Sequence, residues 1–364
     1  MPRPVRYREL DWVLLALVVL ISLLGVLEIY STTQNNPRFA GMHLRQLYWL
    51  GIGVVLLFVL ARIDYHSWTD QAPLLYIGIL AGLVAVLVFG TELFGARRWL
   101  EFGGLTFQVS ELVKWAIILV LARFLSEIRS ESLALKDLVK VAVLVGLPIM
   151  LIAAQPDLGT SLTLVPIAAT GVLLTGLRAK HAVGLVLAAA LLMPVGWFML
   201  RPYQRERIAT FLDPGRGPQG PGYQTLQSKI AVGSGGFWGK GMGKGSQNQL
   251  GFIPVRHAEF IGAAYAEEQG FAGVLLMLGL YLALLLRLVH NVEIAPDRAG
   301  ALIVSGVFSL LAFHLLVNMG MVIGLMPVTG IPLPLMSYGG SATVSTFMML
   351  GLVMSVRMRR FVNL

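Results

Sequence analysis

Apolar runs of about twenty residues recur along the whole chain, and nothing else in it restricts the fold as much. A helix of that length rises about 30 Å, the thickness of a bilayer's hydrocarbon core. Only 13% of the 364 residues are charged and 56% are hydrophobic, whereas a soluble domain carries about 25% charged residues. The sequence therefore predicts an all-α polytopic membrane protein. The predicted spans are Asp11–Tyr30, His43–Ala61, Pro73–Glu92, Leu112–Ser126, Val139–Ala153, Thr160–Gly176, Ala182–Leu200, Ile261–Val289, Ala299–Gly320 and Ser341–Val356. The fourth to sixth are short enough to begin or end in re-entrant segments. The first run lacks a small-residue cleavage site and is followed by many others, so it reads as a retained span. One membrane domain, 1–364, is expected, with a single long loop, 201–260, between predicted helices 7 and 8.

Lys and Arg in the short loops set the orientation. With the N-terminus inside, the inner segments hold Arg3, Arg6, Arg8, Arg62, Arg123, Arg129, Lys136, Lys140, Arg178, Lys180, Arg287, Arg298, Arg357, Arg359 and Arg360. The short outer segments hold only Arg38, Arg45, Arg97, Arg98 and Lys114. Both termini are thus expected in the cytoplasm and the long loop outside. The net charge of +9 is accounted for by cytoplasmic loops and anionic lipid headgroups, and no nucleic-acid partner is implied. The absence of cysteine excludes disulfides, thiolate catalysis and Cys-ligated metals.

Four polar clusters interrupt the apolar pattern. In Gly95–Leu100, Arg97 and Arg98 stand beside Trp99, which suits either a headgroup phosphate or plain anchoring at the lipid interface. Just beyond, Glu111 and Lys114 are three apart and share a helix face. A lone charge at mid-bilayer costs about 3 kcal/mol or more, so Lys114 needs a partner, and Glu111 is the nearest. That pair fits a packing role or the polar wall of a substrate cavity. In Gln155–Ser161, Pro156 and Gly159 break the helix and Asp157 or Thr160 can cap the next one. The long loop carries glycines around Lys240 and Lys244 and ends Arg256-His257-Ala258-Glu259-Phe260. Glycines let backbone N–H groups approach an anion, although such loops are often only flexible. The spacing is not that of a Walker A loop. Glu259 is the candidate catalytic carboxylate, although helix dipoles also favour acids at such a position. Glu267 and Glu268 are expected to pack or pair within their helix. Pro327–Pro334, with three prolines, cannot be a regular helix. At membrane depth it must be buried by protein or line a cavity. His314 and Asn318, four apart, are expected to form a polar pair between helices.

These motifs, in order over nearly the whole chain, resemble the SEDS family (shape, elongation, division and sporulation). The resemblance rests on Gly95–Leu100, Ser110-Glu111 with Lys114, Gln155–Ser161, Gln227–Gly241, Arg256-His257, Pro327–Pro334 and Ser337–Ser341. The wording Gln227–Gly236 with Arg256-His257 is closer to the elongation branch than to the division branch. The resemblance implies a ten-helix fold in the bacterial inner membrane and a peptidoglycan glycosyltransferase acting in elongation and cell shape. It implies lipid II as substrate and a class B penicillin-binding protein as partner, beside membrane lipids. The family's essential carboxylate is an aspartate two residues after the Arg-His pair, a position held here by Glu259. The family's usual His-Thr-Asp-Phe-Ile-Phe is replaced by His257-Ala258-Glu259-Phe260-Ile261-Gly262, and Val109 stands where proline is usual.

Pyrophosphate leaves as a stable anion, so one carboxylate base, Glu259, suffices for the acceptor hydroxyl. Arg97, Arg98, Lys240, Arg256 or a divalent ion would take up the pyrophosphate charge. Asp157, His257 and Ser337 complete the candidate substrate-binding set with Glu111 and Lys114. No cofactor is implied with certainty. The smaller Ala258 and Gly262 are expected to give room for the longer glutamate arm. Two other classes stay open from sequence: a lipid II flippase, and a silent scaffold that activates the transpeptidase.

Overall fold

The structure, a computed structural model, describes residues 9–93, 96–102, 105–213, 220–253 and 255–360. Arg3, Arg6, Arg8 and Gly95, and the side chains of Arg38 and Arg97, lie outside the described residues. Among the described residues, nine helices are long and apolar enough to cross a membrane: α1 (Trp12–Thr33), α2 (Met42–Arg62), α3 (Tyr65–Phe89), α5 (Leu135–Ala154), α6 (Leu158–Thr175), α7 (Ala179–Met199), α11 (Ile261–Glu293), α12 (Arg298–Val322) and α13 (Gly340–Met358). The tenth long helix, α4 (Val109–Ser126), carries Glu111, Lys114 and Arg123 and is buried along most of its length. It packs against α3, α6, α12 and α13. Its charges are tolerated because protein, not lipid, surrounds it.

The predicted spans thus stand close to where the apolar runs put them. No re-entrant break appears in the fourth to sixth, which are continuous helices. Polar residues such as Ser110, Glu111 and Ser161 shorten the apolar run without shortening the helix. Between α3 and α4 lies a feature that the hydropathy pattern did not show, a small antiparallel sheet of β1 (Thr91–Leu93), β2 (Ala96–Phe102) and β3 (Leu105–Phe107).

Side chains pin the two ends of the bundle differently. At one end Asp11 caps α1 through Leu14 N (3.1 Å) and accepts from Arg287 Nε (2.9 Å) and Asn291 Nδ2 (3.0 Å). Arg357 lies 3.4 Å from the same carboxylate, which ties α1, α11 and α13 together. The opposite end carries residues 201–260, which fold in part into α8 (Pro202–Leu212), α9 (Pro221–Ser234) and the short α10 (Ser246–Gln249).

The glycine-rich stretch of that segment is a packing surface. Gly270 has φ 66° and breaks α11 into two helical halves. Around this kink the chain pairs backbone to backbone: Lys240 N donates to Glu267 O (3.1 Å), Gly241 N to Glu268 O (2.9 Å) and Phe271 N to Gly236 O (2.9 Å). A Cβ at Gly239 would lie 2.2 Å from Glu268 O, so only glycine permits that approach.

Between α12 and α13 the chain is non-helical, as the three prolines require. Its backbone is satisfied by side chains of the surrounding helices, as buried carbonyls must be. Ile331 O accepts from Asn318 Nδ2 (2.8 Å), His314 Nδ1 lies 3.2 Å from Pro332 O, and Pro334 O accepts from the Tyr281 hydroxyl (2.5 Å). His314 and Asn318 therefore serve this segment rather than each other.

Candidate active site

A cavity of about 200 Å³ opens beside the non-helical segment. Its polar wall holds Arg98, Asp157, Arg207 and Glu259, and its apolar wall Leu158, Leu162, Ile208, Pro327 and Val328. Each polar group arrives on a different element. Arg98 comes from β2 and is held by the carbonyls of Gln155 (3.1 Å from Nε) and Pro156. Asp157 caps α6 through Thr160 N (3.2 Å), and also accepts from Thr160 Oγ1 (2.9 Å) and Gln108 Nε2 (3.0 Å). Arg207 lies on α8, over the ring of Tyr203, and donates to Val328 O (3.2 Å). Tyr203 donates to Pro156 O (2.8 Å), which fixes α8 against the start of α6.

Glu259 precedes α11 by two residues, and its backbone is held from behind. Three successive carbonyls accept one hydrogen bond each: His257 O from Tyr338 N (2.9 Å), Ala258 O from Ser337 Oγ (2.7 Å) and Glu259 O from Asn318 Nδ2 (2.8 Å). Its carboxylate is free by contrast. Among the described residues no donor or cation lies within bonding distance of it, and it faces the cavity. Burial pushes its pKa above the ordinary value, Arg207 and then Arg98 pull it down, and Asp157 adds to the rise. A carboxylate shifted towards neutrality, unpaired and facing a basic cavity is suited to accept a proton.

The other sequence candidates lie elsewhere. Lys114 pairs with Glu111 at 2.7 Å, both side chains nearly inaccessible. They border a second, smaller cavity with His314 and Ser337, behind the non-helical segment. Ser337 lines the second cavity and not the first, and its hydroxyl is committed to backbone groups, accepting from Leu333 N (2.8 Å) and donating to Ala258 O. Lys240, a candidate for the pyrophosphate, lies 2.6 Å from Glu267 Oε1. Glu267 in turn accepts from Gln247 N (3.0 Å) and Asn248 N (3.1 Å), so it pairs outside its helix rather than within it. Glu268 does likewise, accepting from Gly243 N (3.0 Å) and Asn248 Nδ2 (3.0 Å). Arg256 donates to Thr32 O (3.0 Å) and Asn248 O (2.5 Å) and joins α1 to α10. It is bound to carbonyls and does not line the cavity. The His257 ring packs against Phe39 and Tyr338. Burial, and secondarily Arg256, push its pKa down to about 4, so it is neutral at pH 7.

The room expected from Gly262 is not beside the carboxylate. A Cβ there would meet Met319 Sδ at 3.1 Å and Asn318 Oδ1 at 3.7 Å, so the space is taken by α12. Arg207 is the residue that the motif reading missed. Its signal was the helical spacing Tyr203, Arg207 and Gln204, Ile208, which puts four cavity residues on one face of α8. Among the described residues no group of three or more His, Asp or Glu side chains converges to hold a metal ion.

Comparison with known proteins agrees over the full length. The family model described as cell cycle protein, for FtsW, RodA and SpoVE, matches residues 8–361. The peptidoglycan glycosyltransferase MrdB of Escherichia coli K12 is 40% identical over 354 residues, covering 97% of this chain and 94% of that protein. A chain from a peptidoglycan synthase complex, solved for its coordination of polymerization and crosslinking, superposes with a TM-score of 0.84 at 36% identity, covering 97% and 98% of the two chains. The rod shape determining protein RodA of Thermus thermophilus superposes at 0.73 with 32% identity and the same coverage. With its helices, its cavity and its full-length likeness to these proteins, the chain belongs to the SEDS family, the cell cycle proteins FtsW, RodA and SpoVE.

Proposed function

We propose that this chain, a peptidoglycan glycosyltransferase, polymerises lipid II in the cavity bounded by Arg98, Arg207 and Glu259, with Glu259 as general base. The observation that carries this reading is the free Glu259 carboxylate facing two arginines. In the reaction a sugar hydroxyl attacks an anomeric carbon. The new C–O bond forms as the bond to the lipid pyrophosphate breaks, and the hydroxyl proton passes to the Glu259 carboxylate. Undecaprenyl pyrophosphate leaves with its charge countered by Arg98 and Arg207. These arginines are preorganised, each already anchored on a carbonyl. The apolar wall of Leu158, Leu162 and Ile208 gives the first part of the lipid chain a dry surface. Arg97 stays a candidate by its place on β2. Asp157 holds Arg98 and the start of α6 in register with the base, with Arg98 Nη1 3.9 Å from its carboxylate.

The membrane in this reading is the bacterial cytoplasmic membrane, with both termini inside and the cavity outside. The positive charge of the short predicted inner loops supports that orientation. So does the separation of the Asp11–Arg287–Arg357 cluster from Glu259 at opposite ends of α11. A class B penicillin-binding protein is the proposed partner, supported by the likeness to a chain of a synthase complex that couples polymerization to crosslinking.

The test is polymerisation of labelled lipid II by the purified full-length protein, with and without a cognate class B penicillin-binding protein. Glycan ladders are expected from the native chain and not from Glu259→Gln. Undiminished ladders from that variant would remove Glu259 from the chemistry.

A further inference from the structure

Asn318 lies on α12, is fully buried, and uses only half of its hydrogen-bonding capacity. Its Nδ2 has two hydrogens, and they go to two different backbones: Glu259 O at 2.8 Å and Ile331 O at 2.8 Å. Among the described residues its Oδ1 has no hydrogen-bond partner. The amide orientation is fixed by this network, because a flipped amide would set Oδ1 against both carbonyls. An unpartnered buried acceptor is destabilising. An apolar side chain of the same size would pack as well without it, so packing alone does not account for an asparagine here.

What the asparagine does supply is a fixed distance between two cavity walls. One wall is the turn that carries Glu259. The other is the stretch 327–331, to which Arg207 is anchored through Val328 O. The walls are already close, since a Cβ at Gly330 would lie 3.4 Å from Glu259 Oε1 and 3.8 Å from Arg207 Nη1. Ser337 and Tyr338 hold the two preceding carbonyls, but among the described residues only Asn318 bonds both the residue that bears the carboxylate and the wall that bears the arginine's anchor. Its own side chain is absent from the cavity lining.

We propose that Asn318 is a positioning residue for polymerisation, which sets the spacing between the Glu259 carboxylate and Arg207 by bridging Glu259 O and Ile331 O. The proposal rests on the reading of Glu259 as the base. A misplacement of about 1 Å in such a site costs about 100-fold in rate, and substrate binding by the arginines is left in place.

The experiment is steady-state polymerisation of lipid II by the purified full-length protein carrying Asn318→Leu, Asn318→Asp, Asn318→Gln or Glu259→Gln. Asn318→Leu leaves Glu259 O and Ile331 O without this donor, so a lowered melting temperature is expected, with kcat per folded molecule lowered about 30- to 100-fold and KM for lipid II within about threefold. Asn318→Gln keeps the donor amide on a longer arm and is expected to recover part of kcat. Asn318→Asp cannot bond both carbonyls at once, because a carboxylate has no donor and a protonated acid has one, and it decides the matter if the leucine variant does not fold. Native kcat in the folded leucine or aspartate variant, or a loss confined to KM, overturns the proposal. With Glu259→Gln inactive in the same assay, that failure leaves the base reading standing. If Glu259→Gln polymerises normally, the base reading fails and the positioning role falls with it.

Discussion

Glu259 and Glu267 flank the same short stretch of α11, and both are carboxylates set among protein groups, yet their surroundings are opposite. Glu267 is fully buried and saturated: Lys240, Ser246 and the N–H groups of Gln247 and Asn248 all approach it within 3.2 Å. Glu259 has its backbone carbonyl bonded to Asn318 and its carboxylate left open to a cavity with two arginines. A satisfied carboxylate holds parts of the chain together and is costly to disturb. An unsatisfied one is destabilising, and a role in the cavity it faces accounts for its presence. In the sequence the two look alike: each lies near the start of an apolar helix and within reach of basic residues in the preceding loop. The difference lies in which remote groups come to meet them.

The largest expected effect is on the open carboxylate. Glu259→Gln keeps the size of the side chain and removes its basicity, and general-base catalysis contributes about 10²- to 10⁴-fold. A loss of that size in single-turnover polymerisation is expected, with retention of labelled lipid II by the folded variant. A variant that instead fails to bind lipid II would make Glu259 a binding group and blur the contrast with Glu267.

Arg207→Ala comes next. It removes a cavity cation, so KM for lipid II is expected to rise, and kcat/KM to fall about 10- to 100-fold. The pH profile separates this from a general loss. The base works deprotonated, so the rate climbs with pH through the Glu259 pKa. Burial holds that pKa high and Arg207 is the larger of the two charges that lower it. Without Arg207 the acidic limb should move to higher pH, whereas Arg207→Lys should keep it near the native position. An unmoved limb in Arg207→Ala would mean that the arginine does not sense the carboxylate.

On the saturated side the expectation is reversed. Glu267→Gln leaves Lys240 without its counter-charge and weakens the bonds to two backbone N–H groups, a loss of about 2–3 kcal/mol. Arg256→Ala strips the donors from Thr32 O and Asn248 O, with a loss of about 1–3 kcal/mol. Thermal melts in detergent should register both, while kcat per folded molecule stays within a few-fold of native. A selective rise in KM for Arg256→Ala would return Arg256 to the phosphate site and break the division drawn here.

The same contrast explains what was legible in the sequence. The helices were, because each rests on a local apolar run, and so was Glu259, because it ends a polar insert. Arg98 stood out as one of two arginines beside a tryptophan, and Asp157 as a polar group beside a helix break. The place of Lys240 and Arg256 outside the cavity was not legible, because their partners, Glu267 and the carbonyl of Thr32, are remote in sequence or belong to the backbone. Arg207 was passed over because it shares a short basic stretch with Arg201 and Arg205, and a motif reading gave no reason to choose among them. In the structure Arg205 turns to the carbonyls of Trp197 and Phe198, which leaves Arg207 for the cavity.

The smallest expected effect tests how firmly the Glu259 backbone is held. Gly262 is the second residue of α11, and a Cβ there would meet Met319 Sδ at 3.1 Å, a flexible side chain that can shift by a few tenths of an ångström. Alanine also gains up to about 1 kcal/mol over glycine in helix propensity. The two terms oppose each other, so Gly262→Ala should melt near the native temperature and keep kcat within about threefold, since the contact at Asn318 Oδ1 would be an ordinary one at 3.7 Å. Gly262→Leu cannot be absorbed in this way. It should force the start of α11 away from α12, stretch the bond from Asn318 Nδ2 to Glu259 O, and lower kcat with little change in KM, as Asn318→Leu does. A leucine variant that folds with native kcat would show that the carboxylate tolerates movement of its backbone, and that the three pinned carbonyls serve the fold and not the reaction.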